Sequence, residues 1–168
     1  MFAILSIAFR SYFLPIIILS ALPFGFGGAV VGHIIFGKGL SMISYWGIGA
    51  ACGVVVNDNL VLVDNINRLK SSGKHILECI VESGVTRFRP IVITSITTFV
   101  GLMPMMLEPS VQANFLKPAV ISLSFGVALS SSVTLILVPC LYLIGDDIRS
   151  YISQIKETSK RQISKIST

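Results

Sequence analysis

The stretch GVVVNDNLVLVDNINRLK, residues 53–70, places Asn57, Asp58, Asn59 and Asp64 inside a run otherwise rich in Val, Leu and Ile. Immediately upstream, residues 40–57 carry no formal charge. A carboxylate at the edge of such a run is costly if it faces lipid, so it is either buried against other helices or lines a wet path. The chemistry open to Asp58 is proton uptake and release. Low dielectric disfavours the charged acid, and neutralising it loosens any charge-assisted hydrogen bond it makes. On a helix, Asn57 and Asp64 are seven apart and share one face, while Asp58 and Asn65 share the adjacent one. A second polar set follows at the same spacing: Arg87, Thr94 and Gly101, with Thr98 beside them. Arg87, placed near Asp58, would oppose the loss of its charge.

Each of these residues has a plainer reading. Asp64 fits a hydrated position at a helix end, and Asp58 fits a structurally satisfied buried acid. The hydroxyls of Thr94, Ser95, Thr97 and Thr98 can bond back to their own helix. Thr94 is the one most open to another role, because it shares a face with Arg87. Outside these sets little chemistry is on offer. Cys52, Cys79 and Cys140 have neither paired nor metal-ligand spacing, and Cys52 and Cys140 read as small packing residues. His33 and His75 stand alone, which favours structural roles. No zinc site, nucleophilic triad, phosphate loop, cofactor motif or nucleic-acid motif is visible. An enzyme is therefore not expected, nor a metal, nor a cofactor.

The elements that position these residues follow from hydropathy. In 168 residues only 12% are charged and 53% are hydrophobic, with a mean hydropathy of +0.83. A water-soluble domain of this size needs more charge on its surface. The fold class is all-α: a polytopic membrane helix bundle occupying residues 1–145, with a basic tail over 146–168. Residues 1–10 are apolar but too short to span a bilayer, which takes about 20 residues. With no basic stretch before them they do not read as a signal peptide, and they fit the tail of a helix that begins upstream. Arg10 marks an aqueous boundary.

Four full spans follow, at about 14–36, 42–66, 90–107 and 118–144. The first carries Gly25, Gly28 and Gly32, whose spacing lets helix backbones approach closely, and Pro23 is expected to kink it. Residues 37–41 form a tight turn. Gly49 and Gly53, four apart, predict a second close-packing face on the second span. Ile76, Leu77, Ile80 and Val81 make an apolar stripe beside Lys74, Glu78 and Glu82. That pattern predicts a short amphipathic surface helix over about 72–84, capped by Ser71 or Ser72 and ended by Gly84. Pro90 suits the first turn of the third span, and residues 108–117 read as a short loop. Ser122, Gly126, Ser130 and Thr134 repeat every four residues along the fourth span, a packing face first and a water path second.

Eleven basic residues fall on one side of these spans: Arg10, five in the segment 68–89, and five in the tail. Lys38 and Lys117 fall on the other. The excess puts the 68–89 segment and the C-terminus in the cytoplasm.

Three segments in order, FRSYFLPIIILSALPFGFGGAVVGH, GVVVNDNLVLVDNINRL, and RFRPIVITSITTFVGLMPM followed by VPCLYL, resemble the C-terminal membrane bundle of resistance–nodulation–division (RND) efflux permeases. The similarity runs over about residues 1–145 and implies the last four or so of twelve membrane helices. Members are trimeric proton/substrate antiporters of the bacterial inner membrane that work with a periplasmic adaptor and an outer-membrane channel. The resemblance carries their proton relay onto Asn57 and Asp58, then Thr94 and Arg87. The paired acids of the family's first half have no counterpart here. Asn57 stands where the drug-exporting branch has lysine, so no lysine–carboxylate switch is implied. The expectation is the C-terminal membrane portion of a proton-driven exporter of small hydrophobic or amphiphilic compounds, inactive alone and needing the first-half helices and periplasmic domains. The alternatives are a non-transporting remnant or membrane assembly partner, or a related lipid- or protein-export permease.

Overall fold

The computed structural model describes residues 1–9, 11–73 and 75–166, with side chains up to Asp146. Arg10, Lys74 and the basic side chains of the tail, on which much of the charge asymmetry rests, lie outside the described residues. All elements are helices: α1 (Phe2–Phe9), α2 (Phe13–Leu19), α3 (Leu22–Ile35), α4 (Met42–Ser71), α5 (Ile76–Leu107) and α6 (Val111–Ile166). Four apolar stretches are long enough to cross a membrane: Phe13–Ile35, Met42–Ser71, Ile76–Leu107 and Val111–Asp146.

The first of these is two helices. Proline has no N–H to give the carbonyl four residues back, and its ring crowds that carbonyl. Pro23 is the second residue of α3, so the carbonyl it would crowd is that of Leu19, the last residue of α2. The chain turns at Ser20 and Ala21, where the Ser20 hydroxyl donates to the Ile17 carbonyl at 2.6 Å. The expected kink is thus a break. At the far end of α3, Gly37 takes φ 61°. Its N–H bonds the Ile34 carbonyl (3.2 Å) and that of Lys38 bonds His33 (3.0 Å), the Schellman arrangement that glycine permits. Ser41 then caps α4 in a reciprocal capping box with Ser44, which satisfies two otherwise orphan donors.

Two boundaries differ from the sequence-based expectation. Ser71 and Ser72 do not start a surface helix. They end α4, their hydroxyls donating to the Arg68 carbonyl, and Gly73 at φ 83° makes the stop. The amphipathic segment begins at Ile76 and runs through Gly84 and Pro90 into the third span as one helix of 32 residues, about 48 Å long at about 1.5 Å per residue. Gly84 costs about 1 kcal/mol and Pro90 one backbone bond, and neither is enough to stop a helix whose flanks pack. The loop expected over 108–117 is likewise mostly helix. The Ser110 hydroxyl accepts from the Ala113 N–H at 3.3 Å, and α6 starts at Val111. Its backbone continues helically into the tail, to Ile166.

α6 is the central element, packed against α3, α4 and α5. At one end Leu5, Ile17, Ile18, Leu62, Ile66 and Val138 belong to a single apolar cluster. Toward the other, Met106, Val120 and Ile121 form a second, with Phe36 and Phe125 against it. Apolar burial gives little driving force inside lipid, so close backbone approach and interhelical hydrogen bonds hold the bundle. The approach is made by glycine. A methyl group on Gly28 would lie 2.9 Å from Leu129 Cβ and 3.0 Å from Gly126 Cα, and one on Gly32 would lie 2.7 Å from the Phe125 ring. Gly25 faces the Ser130 hydroxyl, and Gly126 faces Ala51 and the Gly25 carbonyl. Ser122, also on that stripe, is fully buried.

Gly49 and Gly53 do not make the expected contact: nothing lies within 4 Å of a methyl group placed on either. Gly47 makes it instead, where a methyl would come within 2.8 Å of Ala119 Cα. The helix period places Gly47 about 200° around α4 from Gly49, so the face that meets α6 is nearly the opposite one.

Candidate functional site

Asp58 lies in the middle of α4 and is half-buried, while Asn57 and Asp64 are exposed. Its Oδ2 atom is buried and has no hydrogen-bond partner among the described residues. Carboxylate oxygens in low dielectric are strongly penalised without one. Asn57 shares an uncovered strip of α4 with Trp46, Gly49, Ala50 and Asp64, all of them exposed. Small and polar residues are costly or wasted against lipid tails, whereas they suit contact with another helix or with water.

The other two relay candidates are on α5. Arg87 is half-buried, and its Nε is buried without a partner among the described residues. The Thr94 hydroxyl donates to the Pro90 carbonyl at 3.0 Å, the back-bond to its own helix, and Thr97 does the same with Ile93 at 2.8 Å. The four candidates therefore sit on two helices of one bundle, and among the described residues no hydrogen bond or ion pair links Asp58 on α4 to Arg87 or Thr94 on α5. Among the described residues no three His, Cys, Asp or Glu side chains group as a metal site.

Four polar contacts between helices were not singled out from the sequence. Asn59, fully buried, donates from Nδ2 to the Ile18 carbonyl at 3.1 Å. That carbonyl is in the last turn of α2, where helix geometry supplies no partner. Its spacing gave a signal, since Asn59 lies on the same face as Val55, Val56, Leu62, Val63 and Ile66, which are all buried. At one end of the bundle the Tyr142 hydroxyl donates to Asn67 Oδ1, and Lys70 pairs with Asp146. Pairs three and four apart on facing helices meet there. At the other end, His33 is buried. Its Nδ1 donates to the Ala29 carbonyl and its Nε2 contacts Ser44 Oγ, both at 2.9 Å. A carbonyl can only accept, so Nδ1 carries a proton.

Residues 1–146 match the model of the AcrB/AcrD/AcrF family. The sequence is 30% identical over 160 residues to the multidrug resistance protein MdtC of Proteus mirabilis (strain HI4320). That match covers 95% of this chain and 16% of MdtC, so the chain spans about a sixth of the length of that relative.

Proposed function

This chain belongs to the AcrB/AcrD/AcrF family of RND permeases, and from that premise we propose that it works as the C-terminal membrane portion of a proton-driven exporter in the bacterial inner membrane. It is a multi-pass membrane protein, with four helices long and apolar enough to cross a bilayer. The observation that carries the reading is Asp58: an acid in a membrane span whose buried Oδ2 has no partner among the described residues, next to an uncovered face that includes Asn57. Such a residue is a functional site by default, because its cost is not recovered in stability.

In this reading Asp58 takes a proton from the periplasmic side, with Asn57 and Thr94 as hydrogen-bonding neighbours and Arg87 as the opposing charge. Neutralising the acid weakens its polar contacts and lets α4 and α5 shift. One charge crossing about 100 mV supplies roughly 2.3 kcal/mol, enough to bias such a shift. The remaining helices of a permease cover the open face of α4, and the bundle alone does not transport. The C-terminus is cytoplasmic. The cargo is small, hydrophobic or amphiphilic, and the assembled pump is a homotrimer with a periplasmic adaptor and an outer-membrane channel. A second reading makes this chain a non-transporting membrane assembly partner. The same open face favours it, because both readings require a helix to be seated there. A permease exporting lipid or protein is distinguished by cargo alone.

The test is Asp58→Asn in the assembled exporter. We expect export to fall at least tenfold and its dependence on external pH to flatten, with the protein still inserted at wild-type level. Unchanged export and pH dependence would remove Asp58 from the relay and leave the assembly-partner reading in front.

A further inference from the structure

Exposed apolar residues mark how far lipid reaches along this bundle. Near the start of α5, Leu77, Val81, Val85 and Phe88 follow one face of the helix and are 53–72% exposed. On α6, Ile144 is 54% exposed. At that level the apolar surface gives way to charge, where Lys70 pairs with Asp146. Asp146 therefore stands where α6 leaves the hydrocarbon. The helical backbone continues to Ile166, a further 30 Å or so at 1.5 Å per residue. α4 has ended at Ser71 and α5 begins only at Ile76.

Residues 147–166 sort by type around that helix. Successive positions turn by about 100°. The six apolar positions, Ile148, Tyr151, Ile152, Ile155, Ile163 and Ile166, then fall within an arc of about 120°. All seven charged positions fall outside the arc, and five of them are basic: Arg149, Lys156, Lys160, Arg161 and Lys165. A segment that is solvated all round has no need of this segregation. The match to the family stops at residue 146, so the shared membrane bundle does not account for it.

We propose that residues 147–166 form an interfacial helix that lies on the bilayer and binds anionic phospholipid headgroups, with its apolar arc at the acyl boundary and its basic positions at headgroup level. An apolar face backed by a Lys- and Arg-rich one is the pattern of helices that lie in the interface plane. Placement favours the same occupant, because α6 delivers the segment to the leaflet surface and holds it there at high effective concentration. So does charge: five basic and two acidic residues give it a net charge of +3, and each Lys or Arg near an anionic surface is worth about five-fold in binding. The arc also contains Ser159 and Gln162, which weaken its hold on neutral lipid and leave the headgroup charge to decide. Lying flat turns the segment off the α6 axis just past Asp146. The proposal needs a chain that spans a membrane and is independent of the Asp58 relay.

The test places the 168-residue chain in nanodiscs of phosphatidylcholine alone and of phosphatidylcholine mixed with phosphatidylglycerol. Backbone hydrogen exchange over residues 147–166 is followed by mass spectrometry, which reads the stability of each segment separately. Exchange is expected to be at least about ten-fold slower in the mixture, a difference that high salt removes. Lys156→Gln with Lys160→Gln should abolish the difference, at about five-fold per charge. Ile155→Lys with Lys156→Ile keeps composition and charge but puts a cation in the middle of the arc, and should abolish it too. Exchange within α4 and α5 should match the wild type in every variant, which reports an intact bundle. Equal exchange in the two lipids, whether fast or slow, overturns the proposal. Slow exchange that is equal in both lipids and lost when each nanodisc holds a single chain assigns the face to a second copy instead. A difference that survives the Ile155 and Lys156 exchange reflects charge without a helix face and overturns the interfacial helix.

Discussion

The two glycine-bearing faces of this bundle have opposite fates. On α3, Gly25, Gly28 and Gly32 meet α6 so closely that side chains in their place would collide with Ser130, Phe125 or Leu129. On α4, Gly49 and Gly53 have the same four-residue spacing, and open space lies over them. What separates the faces is company. The α3 glycines face a helix stripe that is itself small at Gly126 and Ser130. The α4 glycines share their strip with Asn57 and Asp64, groups that a closed apolar seam would have to satisfy. Small residues at helical spacing record that a backbone can approach; the neighbours on the same strip indicate what kind of surface approaches.

The largest effect that would break this contrast is Gly28→Leu. It puts a branched side chain against the Phe125 carbonyl and Leu129, and overpacking of this kind costs about 1–3 kcal/mol or more. We expect loss of the folded bundle on thermal or detergent-denaturation curves, and a wild-type curve would mean that the α3–α6 seam is not closed. Next is Asn59→Ala, which leaves the Ile18 carbonyl unpaired and should cost about 1–3 kcal/mol on the same curves. The smallest effect is the sharpest test. Gly53→Ala should leave the isolated chain unchanged or make it up to about 1 kcal/mol more stable, from helix propensity. In an assembled permease the same change should weaken co-purification of whatever helix covers α4. A destabilised isolated chain would show that the strip is already occupied within the bundle.

Four membrane-crossing helices were legible in the sequence because uncharged runs of sufficient length have few alternatives in lipid. The breakers were less readable. Pro23 divides its span while Pro90 does not, and the difference lies in what surrounds each. The α2 carbonyl near the break is taken up by Asn59, whereas around Pro90 the helix continues, held by Cys79, Ile80 and Ile91, which are all buried. Asp58 stood out at once as a charge in an apolar run. Its relation to Arg87 and Thr94 could not be read from spacing, since it depends on how α4 and α5 are rotated. Gly47 was hidden for the same reason, because periodicity gives the faces of a helix and tertiary packing chooses among them.

The bond from Asn59 to Ile18 also bears on how the protein is made. A carbonyl left open at the α2 break inside the hydrocarbon core carries a penalty of several kcal/mol, and its partner sits forty-one residues later in the chain. The first span is therefore incomplete as a bilayer-stable unit until α4 has joined it. The first two spans are in this sense stabilised as a pair, joined through the Gly37 turn and the Ser41 cap.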